Sequence, residues 1–321
     1  MKRHRKRTRR WSWRKRAIAA VLGTLGALVL GEIIVGSIFK MNFELKAIMA
    51  PIPEDETIYR LKPNQELIFH GMMHDAPPTL VRTNAEGYRS SEDYAALKPG
   101  DGIRYLVFGD SYAFGSGVAE NETLAADLKA LIAPFVDRPL EVWNMGIPGF
   151  TGIQSMRLAR MEAERYHADK IVLYFNHTDM AGRTLRYYGV AEWLNEHFSL
   201  ARFFSYVLRP FVFANKKDVA LGLRTAASEL GKTTAAANIT IVNGSKHKEL
   251  DTILVEYGAL AVHVADIHND ESNYLTPRDR HLSPEGYRKV ATRVFNEMYR
   301  FDTDLFGTST KSPSPKTDPA P

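Results

Sequence analysis

Four short clusters along the chain carry residues able to do chemistry: Gly109-Asp110-Ser111, Asn144-Met145-Gly146, Asn176-His177-Thr178-Asp179 and Arg278-Asp279-Arg280-His281. A serine hydroxyl is a weak nucleophile until a base takes its proton, and an imidazole base needs a carboxylate to hold its tautomer and balance its charged form. Asp279 and His281, two residues apart, offer such a pair, and Ser111 offers the hydroxyl. A carbonyl under attack also needs donors for its developing oxyanion. A glycine amide such as that of Gly146 is unobstructed by a side chain, and short polar side chains near 176–179 can add to it. The chemistry that fits is acyl transfer from an ester through an acyl-serine.

Other chemistries fit less well. The chain has no cysteine, which removes disulfides, thiolate zinc sites and a cysteine nucleophile. His263, His268 and Asp270 match no strong metal-ligand spacing, so no metal and no cofactor is implied. No G-x-S-x-G elbow surrounds a strand-end serine, which disfavours the α/β-hydrolase arrangement.

The clusters need elements to bring them together. Near-continuous apolar runs at RYLVFG (104–109), LEVWNM (140–145), KIVLYFN (170–176), ITIVNG (239–244) and AVHVADI (261–267) predict strands covered on both faces. Helical periodicity alternates with them, which predicts a parallel sheet. Leu124, Leu128, Leu131 and Ile132 form one helix face, with Asn121 as its expected cap. Residues 152–166 are helical in composition. Ser283 followed by Pro284 announces a last helix carrying Val290, Val294 and Met298. The first three clusters then fall at the carboxyl ends of strands, where open parallel sheets bind ligands, and the fourth stands just before the last helix.

Residues 40–100 read as a tether followed by short strands at 66–71 and 79–84, with a turn at 84–87. The stretch 183–235 exceeds one crossover and is expected to hold two or three helices, among them the aromatic run 193–213, a lid or membrane-proximal surface. Residues 307–321 are a polar, proline-rich tail that need not fold. The expected organisation is a basic segment 1–16, an anchor 17–39, the tether 40–100, a catalytic domain 101–306 and the tail.

Charge separates the two ends of the molecule. Of 42 Lys and Arg, ten lie in residues 1–16, which contain no acid, leaving 32 bases against 37 acids in the remainder. The body is thus acidic, and a nucleic-acid partner is disfavoured despite a pI near 9.2. The apolar stretch 17–39 would run about 35 Å as a helix against a hydrocarbon core of about 30 Å. No small-residue cleavage site follows it, so it reads as an uncleaved signal anchor. The positive-inside rule then leaves the N-terminus cytoplasmic and the rest extracytoplasmic, periplasmic or extracellular. Ala19, Gly23, Ala27 and Gly31 form a small-residue stripe through which two copies could pair as a homodimer. Glu32 is the one charge in the span, and intramembrane carboxylates usually face a partner or an interface.

The ordered blocks TNAEGYRS (83–90), FGDSYAFGSGV (108–118), NMGIPGFTG (144–152) and DRHLSPEGY (279–287) resemble those of the SGNH hydrolases, also called GDSL-type lipases and esterases. The resemblance covers about residues 80–300. It implies a three-layer α/β/α sandwich with a five-stranded parallel sheet of flavodoxin-like order. It also implies Ser111 as nucleophile, His281 as base, Asp279 as its orienting acid, and the amides of Ser111 and Gly146 as the oxyanion hole. The family's third block reads G-x-N-D, and Thr178 stands where its oxyanion asparagine belongs; Asn176 is the alternative donor and His177 a candidate substrate contact. Asp279 and His281 are also one residue closer than in the commoner D-x-x-H, a spacing found in relatives that act on or transfer acyl groups. The expected activity is hydrolysis of an O-acyl carbohydrate or lipid ester. Alternatives are an O-acyltransferase modifying a cell-surface polysaccharide, and a degenerate membrane-tethered protein that binds carbohydrate or serves assembly.

Overall fold

The computed structural model describes residues 12–38, 45, 48–52, 55–71, 76–176, 179, 194, 197–201, 203, 216–235, 238–246, 252–253, 255–257 and 259–301. The chain forms two units, one of residues 1–41 with 187–212 and one of residues 42–186 with 213–321. The expected tail 307–321 and much of the insertion 183–235 lie outside the described residues, as do His177 and Thr178.

In the first unit, α1 (Trp13–Ile38) is 26 residues long. It is the one helix among those described that is long and apolar enough to cross a membrane. Ile18, Val21, Leu22, Leu25, Leu28 and Ile33 are exposed along it. The helix begins four residues before the apolar stretch because Trp13 and the basic residues after it continue the turn.

The second unit is built on five parallel strands, β5 (Ile103–Gly109), β6 (Leu140–Asn144), β7 (Lys170–Phe175), β8 (Ile239–Asn243) and β9 (Leu260–His263). Two hairpins precede them, β1 (Met49–Ile52) with β2 (Asp55–Leu61), and β3 (Glu66–Phe69) with β4 (Thr79–Arg82). The sheet order is β6-β5-β7-β8-β9, the doubly wound order in which the chain reverses direction beside the first strand. Every residue of β5 and β8 is buried. Apolar strands without alternation demand cover on both faces, and the helices supply it.

Those helices are α2 (Ser111–Phe114), α3 (Leu124–Ile132), α4 (Gly152–Arg165), α5 (Lys216–Gly231) and α6 (Pro284–Phe301). Leu124, Leu128 and Ile132 of α3 and Val290, Val294 and Met298 of α6 share a core with Tyr105, Val107, Val172 and Val242 on one face. On the other face Met156 of α4 and Ala227 and Leu230 of α5 border a cavity of about 280 Å³ against Leu173, Ile239 and Ile241. The result is the expected α/β/α sandwich.

Several boundaries differ from expectation. The cap of α3 is Thr123, whose Oγ1 accepts from Ala126 N at 3.4 Å, and not Asn121. Residues 120–122 form a 3-10 turn that places Asn121 too early to reach the helix amides. The fifth run pairs only to His263, and Ile267–Asn269 turns as a 3-10 helix instead of extending the strand. The hairpin β1–β2 falls in the supposed tether: Ile58, Tyr59 and Leu61 are buried, and Pro51 is tolerated because it stands opposite Tyr59 in a two-stranded sheet. The turn at 84–87 forms as expected, with Asn84 Oδ1 accepting from Glu86 N at 3.2 Å and Tyr88 N at 2.9 Å. Ser283 Oγ accepts from Gly286 N at 3.2 Å at the start of α6.

Candidate active site

Strand β5 ends at Gly109, where the chain must turn sharply. A side chain on Gly109 would meet Tyr174 O at 2.7 Å and Ala113 Cβ at 2.8 Å, so only glycine lets the turn pack against β7. Asp110 then caps α2, its Oδ1 accepting from Tyr112 N at 2.9 Å. Ser111 is therefore the first residue of a helix, where its amide has no intrahelical acceptor. The turn is what presents Ser111 at the carboxyl end of the sheet.

His281 Nε2 lies 2.8 Å from Ser111 Oγ, and His281 Nδ1 lies 2.5 Å from Asp279 Oδ1. Asp279 Oδ1 also accepts from His281 N at 3.1 Å. The two-residue spacing thus works through the backbone: one carboxylate oxygen holds both the main chain and the ring of His281. Asp279 itself is steadied by its N–H donating to Thr276 Oγ1 at 2.8 Å, and the loop closes with Leu275 N donating to His281 O at 2.9 Å. Asp279 and His281 are buried and Ser111 is partly exposed. A serine hydroxyl, an imidazole and a carboxylate are therefore linked in series within hydrogen-bond reach, the geometry that acyl transfer through a serine needs.

The remaining donors are arranged less simply. Gly146 packs against the backbone of α2, and its N–H donates to Asn144 Oδ1 at 3.0 Å. Asn144 Nδ2 in turn donates to Phe114 O at 3.2 Å. A substrate oxyanion would have to share the Gly146 amide with Asn144. Asn176 is fully buried and its Nδ2 donates to Asp110 Oδ2 at 2.7 Å, so the side chain is committed beneath the nucleophile turn.

Asp179 completes that network. Its Oδ2 accepts from Asn176 N at 2.6 Å, while its buried Oδ1 has no partner among the described residues. Burial, and then the charge of Asp110, push the Asp179 carboxyl well above the usual carboxylate range. A carboxyl raised in the folded state takes up a proton on folding. That favours the native state at low pH, and the advantage is lost as pH rises from about 4 through the raised folded-state value. Asp179→Asn keeps an acceptor for Asn176 N without a charge. Its thermal midpoint is expected to gain on wild type progressively as pH rises from about 4; midpoints that stay parallel across the pH range would contradict this.

Three residues that the sequence did not single out hold the site. Arg89 is buried and its guanidinium donates to Phe114 O at 3.0 Å, to Val118 O at 2.5 Å and to Gly115 O. It satisfies the carbonyls that α2 leaves open at its end, and burial lowers its pKa only to about 10, so it remains charged. The segment 83–90 thereby clamps α2. Gly71, after β3, approaches the acid: a side chain there would meet Asp279 Oδ2 at 3.0 Å.

The third is Tyr112, directly after Ser111. Its ring packs between His281 and His268, with centroids 5.1 Å and 5.0 Å away. Its hydroxyl donates to Arg280 O at 2.9 Å, and burial pushes the phenol well above its usual range, so it stays a donor. His268 is fixed from behind by Tyr174, whose hydroxyl lies 2.7 Å from Nε2. Tyr112→Phe keeps the ring and removes one hydrogen bond to the His281 loop, worth about 1 kcal/mol. It is expected to lower kcat about 3- to 10-fold with KM little changed, measured on a simple acetyl ester.

No family model matches the chain, and no curated protein matches it. Among solved structures it is similar to TesA, with a TM-score of 0.44 at 11% identity, over 62% of this chain and 99% of that one. It is similar to a family 3 carbohydrate esterase from Clostridium thermocellum, with a TM-score of 0.41 at 16% identity, over 64% and 98%. A two-domain esterase, CEX, active on acetylated mannans and co-crystallised with mannopentaose, has a TM-score of 0.43 at 14% identity, over 67% of this chain and 53% of that one. These similarities assign no role to any residue of this chain.

Proposed function

We propose that the protein is a serine esterase of the SGNH type. The observation that carries this reading is the Ser111–His281–Asp279 geometry, 2.8 Å and 2.5 Å at its two links. Ser111 Oγ attacks the ester carbonyl as its proton passes to His281 Nε2, and Asp279 balances the imidazolium. The oxyanion is received by the amides of Ser111 and Gly146. Collapse expels the alcohol, which takes the proton from His281. Water then attacks the acyl-serine with His281 as base, releasing the acid and restoring Ser111. The substrate class is an O-acyl carbohydrate or a lipid ester.

We place the catalytic unit outside the cytoplasm, since residues 1–16 are strongly basic and precede an apolar helix. A reporter fused after residue 321 that is active only in an extracytoplasmic compartment is the expected outcome. The activity is tested by treating the full-length protein with a fluorophosphonate and mapping the adduct by mass spectrometry. A single adduct on Ser111, with acid released from acylated sugars or short lipid esters, is expected. No adduct on well-folded protein would overturn the assignment. Acyl transfer to an added sugar in place of acid release would replace hydrolase by transferase.

A further inference from the structure

Glu32, the one carboxylate in the apolar part of α1, is engaged within its own unit. Its Oε1 accepts from Ser199 N at 2.5 Å and its Oε2 from Leu200 N at 3.0 Å. The same short segment lies along the small residues of the helix. A side chain on Gly31 would meet Leu200 Cδ1 at 3.1 Å, and one on Gly36 would meet Ser199 Oγ at 3.1 Å. Residues 199–201 are helical, and around them Leu194, Phe198 and Phe203 are exposed at 37%, 42% and 36%.

The position of Glu32 along α1 sets the depth of this segment. At a rise of about 1.5 Å per residue, Glu32 lies about 9 Å along α1 from Ile38, which stands near the end of the apolar stretch 17–39. That is the depth, about 5–10 Å, to which apolar faces of interfacial segments enter the boundary between headgroups and acyl chains. A carboxylate at such depth is tolerated when its oxygens are satisfied, and two backbone amides satisfy them here. Leu194, Phe198 and Phe203, like Ile18, Val21, Leu22, Leu25 and Leu28 of α1, are exposed large apolar residues of the same unit.

We propose that residues 194, 197–201 and 203 present a lipid-facing surface, pinned to α1 by Glu32 and seated in the interfacial layer of the leaflet that the C-terminal end of the helix reaches. The proposal rests on the reading of α1 as a membrane span. Its partner is the bilayer, through apolar side chains and not through a headgroup-specific site. Leu200 already occupies the groove at Gly31, so only Ala19, Gly23 and Ala27 of the small-residue stripe remain for a second copy.

The absence of cysteine makes the test direct. Phe198→Cys, Phe203→Cys, Val21→Cys and Leu97→Cys variants of the full chain are labelled with bimane and placed in phosphatidylcholine nanodiscs. Some of the lipid carries a nitroxide near the top of its acyl chain. Quenching of about twofold or more is expected at 198 and 203, relative to Leu97, exposed on the second unit, as the reference site. Deep-chain nitroxide is expected to quench Val21. Glu32→Leu is expected to reduce quenching at 198 and leave Val21 unchanged. Val21 quenched with 198 and 203 unquenched overturns the proposal while the span stands. Val21 unquenched overturns the span and the proposal with it. Shielding of 198 and 203 from both lipid nitroxide and aqueous iodide would mean that protein covers the segment, which also overturns it.

Discussion

Replacing Ser111 with alanine is expected to lower kcat by about 10⁶-fold on a simple acetyl ester, as removal of a serine nucleophile does where base and acid act as one unit with it. The fold should be indifferent to the change. Among the described residues the Ser111 hydroxyl is hydrogen-bonded to His281 alone, and the residue is partly exposed, so stability should stay within about 0.5 kcal/mol of wild type. His281→Ala should cost a similar factor, and the double variant little more than either, because neither group works without the other. Steady-state kinetics with matched thermal melts check all three. A Ser111→Ala protein that retains more than about one-hundredth of wild-type turnover would mean that the serine is not the nucleophile, whatever its geometry.

Gly146→Ala carries the second large effect, and here fold and chemistry fail together. The added carbon would stand 2.2 Å from Phe114 N, 2.6 Å from Ala113 C and 2.8 Å from Phe114 Cα. All three are main-chain atoms of the nucleophile helix, and none can rotate away. The loop after β6 must retreat from α2, an overpacking strain of about 1–3 kcal/mol. Retreat also carries the Gly146 amide away from the carbonyl that Ser111 attacks, and loss of one such donor lowers kcat by about 10²–10³. Gly231→Ala, whose added carbon meets nothing within 4 Å, should change neither melting nor turnover. If Gly146→Ala melts lower but turns over normally, the amide has no part in the oxyanion hole.

What could be read from the chain alone was whatever depends on neighbours in sequence. The five strands announced themselves because buried parallel strands are short, nearly continuous apolar runs. The Asp279 and His281 pair was legible because two residues of one loop face each other through local geometry. Ser283 with Pro284 marked the last helix for the same reason. The three-layer sandwich followed from the alternation of strand and helix.

Only the tertiary structure decided which distant groups meet. Asn176, considered as an oxyanion donor, is turned to Asp110, 66 residues earlier, because β5 and β7 are neighbours in the sheet. Tyr112 and Arg89 lie inside blocks 108–118 and 83–90 without a chemical role read for either, yet one wedges against the His281 loop and the other closes the end of α2. Glu32 invited a partner, and the partner is a pair of amides 167 and 168 residues away. A residue's type states which bonds it can make; sheet order and chain reversal determine which are made, because they set the distances between strand ends that no local pattern encodes.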